Sequence, residues 1–194
     1  SDVCSSDLGD IPLTVDANSA YTLKDIDLFK EMDQYHLQYI EQPLGEEDIV
    51  DHAVLQKEIE TPVCLDESVV SYEAAEAAIR LGSCKVINIK SSRCGGVYEG
   101  KRIHDLCVAH GIPVWCGGMT ELGIGRAQNV SFASLPGFTE LAHDVAAANR
   151  YFDEDITSPM VDITDRCTII VPDEDNGIRY EVDEKQIDKM EAGH

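Results

Sequence analysis

Asp16, Glu41, Asp66 and Lys90 recur at intervals of 25, 25 and 24 residues along this 194-residue chain. Each follows a short apolar run, as Val15-Asp16, Ile40-Glu41, Leu65-Asp66 and Ile89-Lys90. Three carboxylates brought to one place repel one another and lose solvation, a cost that a bound cation offsets. A hard divalent ion suits oxygen ligands, and Mg²⁺ held by a few carboxylates keeps positions open for water and substrate. Mn²⁺ is the alternative ion. A lysine beside such an ion has its pKa lowered and is placed to move protons. Any one of these carboxylates alone reads better as a helix cap or a surface charge than as part of a site. The shared period favours a site.

What positions them is an alternation of short and long segments. Short runs at 11–15, 37–40, 62–65, 85–89 and 113–116, with a weaker one at 139–142, are apolar on both faces, as parallel strands buried on both sides are. Between them lie helix-length stretches at 22–35, 47–59, 71–81, 97–110 and 121–135. In the third of these, Ala74, Ala75, Ala77, Ala78 and Ile79 supply strong helix formers and a stripe for packing on a sheet. Strands alternating with helices imply an α/β fold with a parallel sheet, open or closed as a barrel. An open sheet spreads its strand ends along a line, whereas a TIM-like barrel gathers them at one mouth, where such barrels hold their catalytic residues. The ionisable strand ends favour the barrel.

Two further groups belong at that mouth. Asn18 follows Asp16 by two, which on a strand turns both to the same side. Gly117-Gly118-Met119 can bring bare backbone close to a ligand at the next strand end, although tight turn geometry explains the glycines equally well. Asn18, Gly117, Gly118 and Met119 are the expected substrate contacts.

Composition removes several other functions. Lys and Arg number 15 against 37 Asp and Glu, a formal net charge of −22. No basic run tracks a phosphate backbone, so nucleic acid is not an expected partner. Surface acid in this excess keeps a protein soluble and is common in salt-rich cytoplasm, so a halophilic source is one reading of it. No window reaches the roughly 18 apolar residues of a membrane span, and the chain does not open on a signal-peptide pattern. A cytoplasmic protein is expected. The seven cysteines show no zinc-like spacing and read as reduced core residues. The six histidines carry no ligand spacing and read as surface residues.

Residues 1–8, SDVCSSDL, are polar and without period, and they match the in-frame translation of a common sequencing-adapter string. The native sequence is therefore expected to begin near Gly9, with an N-terminal portion missing and Cys4 an artefact.

The runs Val15-Asp16-Ala17-Asn18, Tyr39-Ile40-Glu41-Gln42-Pro43-Leu44, Leu65-Asp66-Glu67-Ser68, Asn88-Ile89-Lys90 and Trp115-Cys116-Gly117-Gly118-Met119 resemble the enolase superfamily, muconate-lactonizing subgroup. Within it, the run from Gly117 to Ala127 and the run from Arg150 to Ile156 are similar to the o-succinylbenzoate synthase/N-acylamino acid racemase family. The likeness extends from about Ile11 to Ile187.

This resemblance implies that Asp16, Glu41 and Asp66 are the Mg²⁺ ligands and that Lys90 is one of two lysines flanking the substrate's α-carbon. It implies a partial (β/α)7β barrel over 9–155, about strands 3 to 8, without the first strands or the α+β capping domain. Residues 156–194 would pack on that domain. The family's second lysine, one βα unit before Asp16, is absent, so the chain alone is expected to be inactive. The implied chemistry is α-proton abstraction through a metal-stabilised enediolate. Loss of a β-hydroxyl then gives o-succinylbenzoate for menaquinone synthesis; return of the proton by the opposite lysine gives N-succinylamino acid racemisation instead. Dipeptide epimerisation expects an Asp-x-Asp pair near the last strand, which His143-Asp144-Val145 lacks. A catalytically silent partial barrel is the remaining reading. A small carboxylate substrate is the expected partner, with a homo-oligomeric parent enzyme. His143-Asp144 stands where the family shows Gly-Asp. Ser91 stands where it often has proline, so the loop after Lys90 is expected to be less rigid.

Overall fold

The computed structural model describes residues 11–138, 140–166, 168–171 and 180–192. Residues 1–8, with the expected adapter-derived start, lie outside them. The first half of the chain repeats one unit. Strand β1 (Thr14–Asp16) leads through two 3₁₀ turns and helix α1 (Ile26–Met32) to β2 (Tyr39–Glu41). There follow α2 (Val50–Glu58), β3 (Val63–Leu65), α3 (Tyr72–Leu81), β4 (Val86–Ile89), α4 (Val97–Ala109), β5 (Val114–Cys116) and α5 (Gly123–Ala133). All five strands are parallel and stand in the order β1-β2-β3-β4-β5. No reversal of strand order occurs, which separates this sheet from doubly wound folds and puts every crossover on one side.

The elements start and stop where local chemistry dictates. Ser71 accepts from the Ala74 amide at the start of α3, and Gly82 closes it at φ +72°, a left-handed cap that costs glycine nothing. Asp48 accepts from the Val50 and Asp51 amides at the start of α2. The carboxylate of Asp155, far along the chain, caps α5 by accepting from Gly123 N at 2.7 Å.

Strand alternation sorts side chains into two layers. Ile40, Val63, Leu65, Ile87, Ile89, Val114 and Cys116 face the helices and share one core with Phe29, Leu55, Ala75, Ala78, Ile103 and Phe132. The opposite face holds a small cluster of Tyr39, Cys64, Val86 and Trp115, with Leu141 packed against it. Tyr39 and Trp115 stack at 6.1 Å. Beyond α5, strands β6 (Thr157–Ser158) and β7 (Glu181–Val182) form a short antiparallel pair before helix α6 (Glu184–Ala192). Val161, fully buried, packs on Ala127 and Val130 of α5.

The strand expected at 139–142 is corrected. Thr139 lies outside the described residues, and 140–142 carry no strand. Pairing along the free side of β5 shrinks to one parallel bridge, Gly117 to Asp144. The His143 ring is the reason: its Nδ1 accepts the Cys116 amide at 3.1 Å, where a neighbouring strand would offer a carbonyl. Two of the histidines expected at the surface, His52 and His104, are buried instead. Their imidazoles serve the core, His52 by linking Asp48 O to Leu44 N. Five of the seven cysteines are free and buried as expected; Cys4 and Cys167 lie outside the described residues. Among the described residues no helix is long and apolar enough to cross a membrane.

Candidate active site

The face of the sheet turned away from the helices carries the ionisable strand ends. Asp16 and Glu41 are register partners on β1 and β2, and Asp66 and Lys90 are the next residues after β3 and β4. Each sits one position past a core-facing aliphatic residue, so alternation turns it to the other side.

Their surroundings differ from edge to centre. Asp16, on the edge strand, is exposed, and its Oδ1 accepts the Asn18 amide at 2.9 Å. The strand ends there and Asn18 turns to φ +45°, so Asn18 belongs to a turn and its side is not set by strand alternation. Glu41 is buried and accepts from Asn88 Nδ2 at 2.9 Å. Burial pushes its carboxyl up to about 7; the Asn88 hydrogen bond opposes this, the charges of Asp16 and Asp66 add to it, and Lys90 opposes it weakly.

Asp66 is 2% exposed and meets two cations. Lys90 Nζ stands 2.7 Å from Oδ2, and Arg93 pairs with Oδ1. Its backbone is held too: Gln42 Oε1 accepts the Asp66 and Ser68 amides at 3.0 and 3.3 Å, while Gln42 Nε2 donates to Ser68 Oγ at 2.7 Å. Gln42, wholly buried at φ +35°, thus ties the end of β2 to the end of β3. Neighbouring Glu67 is pushed up by burial and by the Asp66 charge.

The two glycines are explained by close approach. A Cβ on Gly117 would fall 2.3 Å from Asn88 Oδ1 and 2.7 Å from Lys90 Cε. A Cβ on Gly118 would fall 2.5 Å from the Asp144 carbonyl oxygen. Neither glycine has a positive φ, so turn geometry is not what requires them. Met119 is exposed and its amide donates to Glu121 Oε1. The loop after Lys90, expected to be loose for want of proline, is anchored at Ser91, whose buried hydroxyl meets Asn129 of α5 at 2.9 Å.

Among the described residues no three His, Cys, Asp or Glu side chains are gathered as a metal-binding group. Asp66 is drawn to Lys90 and Arg93. The donors nonetheless fit a hard divalent ion: all are carboxylate oxygens, and Asp16 and Asp66 both act on Glu41 electrostatically, a burden that a cation would relieve.

Residue spacing missed Asn88, Arg93 and Gln42. Asn88 lies two before Lys90 on one strand and so shares its face, a signal the alternation already contained. Arg93 is three residues into a turn, and Gln42 stands one position past Glu41. Neither is selected by a strand period.

The model of the enolase C-terminal domain-like family matches residues 4–186. An o-succinylbenzoate synthase from Geobacillus stearothermophilus is 52% identical over 180 residues, covering 93% of this chain and 47% of that protein. An N-succinylamino acid racemase from Amycolatopsis sp is 55% identical over 152 residues, covering 78% of this chain and 41% of that protein. Among solved structures, an enolase superfamily member from Listeria innocua superposes with a TM-score of 0.88 at 42% identity, covering 95% of this chain and 49% of that one. The chain spans about half the length of the curated relatives it matches.

Proposed function

Because this chain belongs to the enolase C-terminal domain-like family, we propose that the protein carrying it is a Mg²⁺-dependent o-succinylbenzoate synthase, a carbon–oxygen lyase of menaquinone synthesis. The observation that carries the reading is the convergence of Lys90, Asp66 and Glu41 on one sheet face, in a sequence 52% identical to a synthase. On this reading the five strands, together with the segment bridged to β5 at Asp144, span about strands 3 to 8 of a (β/α)7β barrel. A capping domain and a second lysine are supplied elsewhere in the whole protein, which is cytoplasmic and homo-oligomeric.

Asp16, Glu41 and Asp66 would hold the ion, with Mn²⁺ as a substitute. Bound there, it supplies positive charge to the substrate's carboxylate and so acidifies the α-proton. The chain's own residues do the rest. Lys90 would take the α-proton, and the β-hydroxyl would then leave as water, carrying off a proton returned by Lys90 as the electron pair of the former C–H bond becomes the C=C bond. Asn88 holds Glu41 in place by its hydrogen bond, and Gln42 fixes the backbone of Asp66. Arg93 keeps Asp66 charge-balanced. Bare backbone at Gly117 leaves room for the stem of Lys90, and Asn18, Gly117, Gly118 and Met119 face the succinyl end of the substrate.

N-succinylamino acid racemisation is the second reading, supported by the 55% identical racemase. It uses the same residues, with the opposite lysine returning the proton. The test is an assay of the full-length protein with the synthase substrate and with an N-succinyl amino acid, with and without Mg²⁺, beside Asp66→Asn and the exposed control Asp27→Asn. Dehydration that Mg²⁺ removal and Asp66→Asn abolish, and Asp27→Asn leaves intact, supports the proposal. Racemisation without dehydration would replace it with the second reading, and equal effects of the two substitutions would sink the metal assignment.

A further inference from the structure

A chain of hydrogen bonds, buried at its inner end, runs from the loop after β5 to the residue beside Lys90. Met119 N donates to Glu121 Oε1 at 2.8 Å, and the same oxygen accepts from Asn129 Nδ2 at 2.8 Å. Asn129 Oδ1 lies 2.9 Å from the Ser91 hydroxyl. Asn129 and Ser91 are 2% and 4% exposed, so water does not compete for the bond between them.

The polarity of the chain has one source. An ionised carboxylate only accepts, so Asn129 must turn its NH₂ to Glu121 and its carbonyl to Ser91. The Ser91 hydroxyl is then obliged to donate. A side chain on α5 is thereby oriented at one end by a charge and delivers an acceptor at the other end to the first residue of the Lys90 turn.

That turn depends on Ser91. Lys90 O accepts from Arg93 N and Cys94 N, and Ser91 O accepts from Gly96 N at 2.7 Å, so residues 90–96 close on themselves. Nothing in those local bonds fixes how the turn sits on α5. The Ser91–Asn129 bond does, while Gly117 meets the Lys90 stem from the β5 side. Besides its ion pair with Asp66, Lys90 is thus braced by two contacts from the β5–α5 unit.

We infer that Asn129 is a positioning residue for Lys90, acting through Ser91 and oriented by Glu121. The inference rests on the assignment of Lys90 to proton transfer made above. A displacement of about 1 Å at a reacting group costs on the order of 10²-fold in rate, so loss of this bond is read in turnover before it is read in folding.

The experiment uses the full-length protein with saturating Mg²⁺. Asn129→Asp keeps the shape but sets a second carboxylate against Glu121; Ser91→Ala removes only the hydroxyl. Each should lower kcat by about 10- to 100-fold, with KM within about threefold and the melting temperature close to wild type. The double variant should be no slower than the slower single one, because both remove one connection. Asn129→Leu, which removes both hydrogen-bonding groups of the side chain, gives a larger lesion at the same link. Wild-type kcat in Ser91→Ala and Asn129→Leu, or multiplicative losses in the double variant, would overturn the inference alone when Lys90→Ala is inactive. A Lys90→Ala protein that keeps wild-type turnover overturns both the inference and the assignment beneath it.

Discussion

The two faces of the five-stranded sheet are built from alternate residues of the same strands, yet they have opposite character. Toward the helices, Ile40, Val63, Leu65, Ile87 and Ile89 are almost wholly removed from water and form one continuous core. Away from them, only Tyr39, Cys64, Val86 and Trp115 make an apolar cluster, and the positions just above it are Glu41, Asp66, Asn88 and Lys90. One face gains free energy by burying carbon; the other spends some of it by burying charge, as the carboxyl of Glu41, pushed up to about 7, records. Polar groups there are tolerated because they hold one another: Asn88 on Glu41, Lys90 and Arg93 on Asp66, Gln42 on the loop beneath. A period of two along a strand is thus enough to separate what keeps the protein folded from what lets it react.

Substitutions on the two faces should therefore fail in different assays. Lys90→Ala in the full-length protein is expected to lower kcat by about 10²- to 10⁴-fold, the usual contribution of a proton-transfer group, with its melting temperature unchanged. A variant that keeps a tenth of wild-type kcat would make Lys90 a structural charge. Leu65→Ala, one residue from Asp66 but on the helix side, should cost about 2–5 kcal/mol of stability while the folded fraction keeps its kcat/KM. Denaturant titration beside the activity assay separates the two, and loss of kcat without loss of stability would break the division of faces.

Gly117→Ala adds a single methyl to the reactive side, where it would meet Asn88 and Lys90. Overpacking of this kind costs about 1–3 kcal/mol, and here it should appear in kcat as well as in the unfolding midpoint. The mirror change on the helix side, Ala78→Gly in α3, should shift stability alone by roughly 1 kcal/mol.

The smallest effect is one of pH, at a position serving both faces. His52 lies buried in α2, where Nε2 accepts the Leu44 amide at 3.1 Å, just past the end of β2. Burial holds its pKa below the ordinary 6.5. A protonated ring cannot accept, and the unfolded chain binds that proton first, so the stability contributed by neutral His52 is present above pH 6.5 and is lost as pH falls below it. Between pH 8 and pH 5 the wild type should lose unfolding free energy relative to His52→Gln as acid is added, the raised carboxyl of Glu41 adding the same opposite trend to both proteins. Equal slopes would show that His52 is not the group responsible.

How much of this could be read from residues alone depends on sequence distance. The five strands of the sheet and the helices between them follow from short apolar runs and helical periods, which are local properties, and the observed elements fall inside the expected spans except that β1 and β2 each run one residue further, to Asp16 and Glu41. The strand at 139–142 failed because its pairing partner is a long-range matter: the His143 ring satisfies the edge of β5 in its place. Asn18 failed as a strand residue for a local reason that a period of two cannot see, since Asp16 accepts its amide and turns the chain.

The strand-end residues Asp16, Glu41, Asp66 and Lys90 were determined by the sequence itself, because a parallel βα repeat of near-constant length brings successive strand ends to one edge of the sheet whatever fills the loops. Only the tertiary structure decided what those residues touch. Asn88 reaches Glu41 across 47 positions, Arg93 reaches Asp66 across 27, and Ser91 reaches Asn129 across 38. Such pairings depend on which strand lies next to which and on the register between them. Neither quantity is encoded in any single stretch of the chain, because each is set by the packing of the whole sheet against its helices.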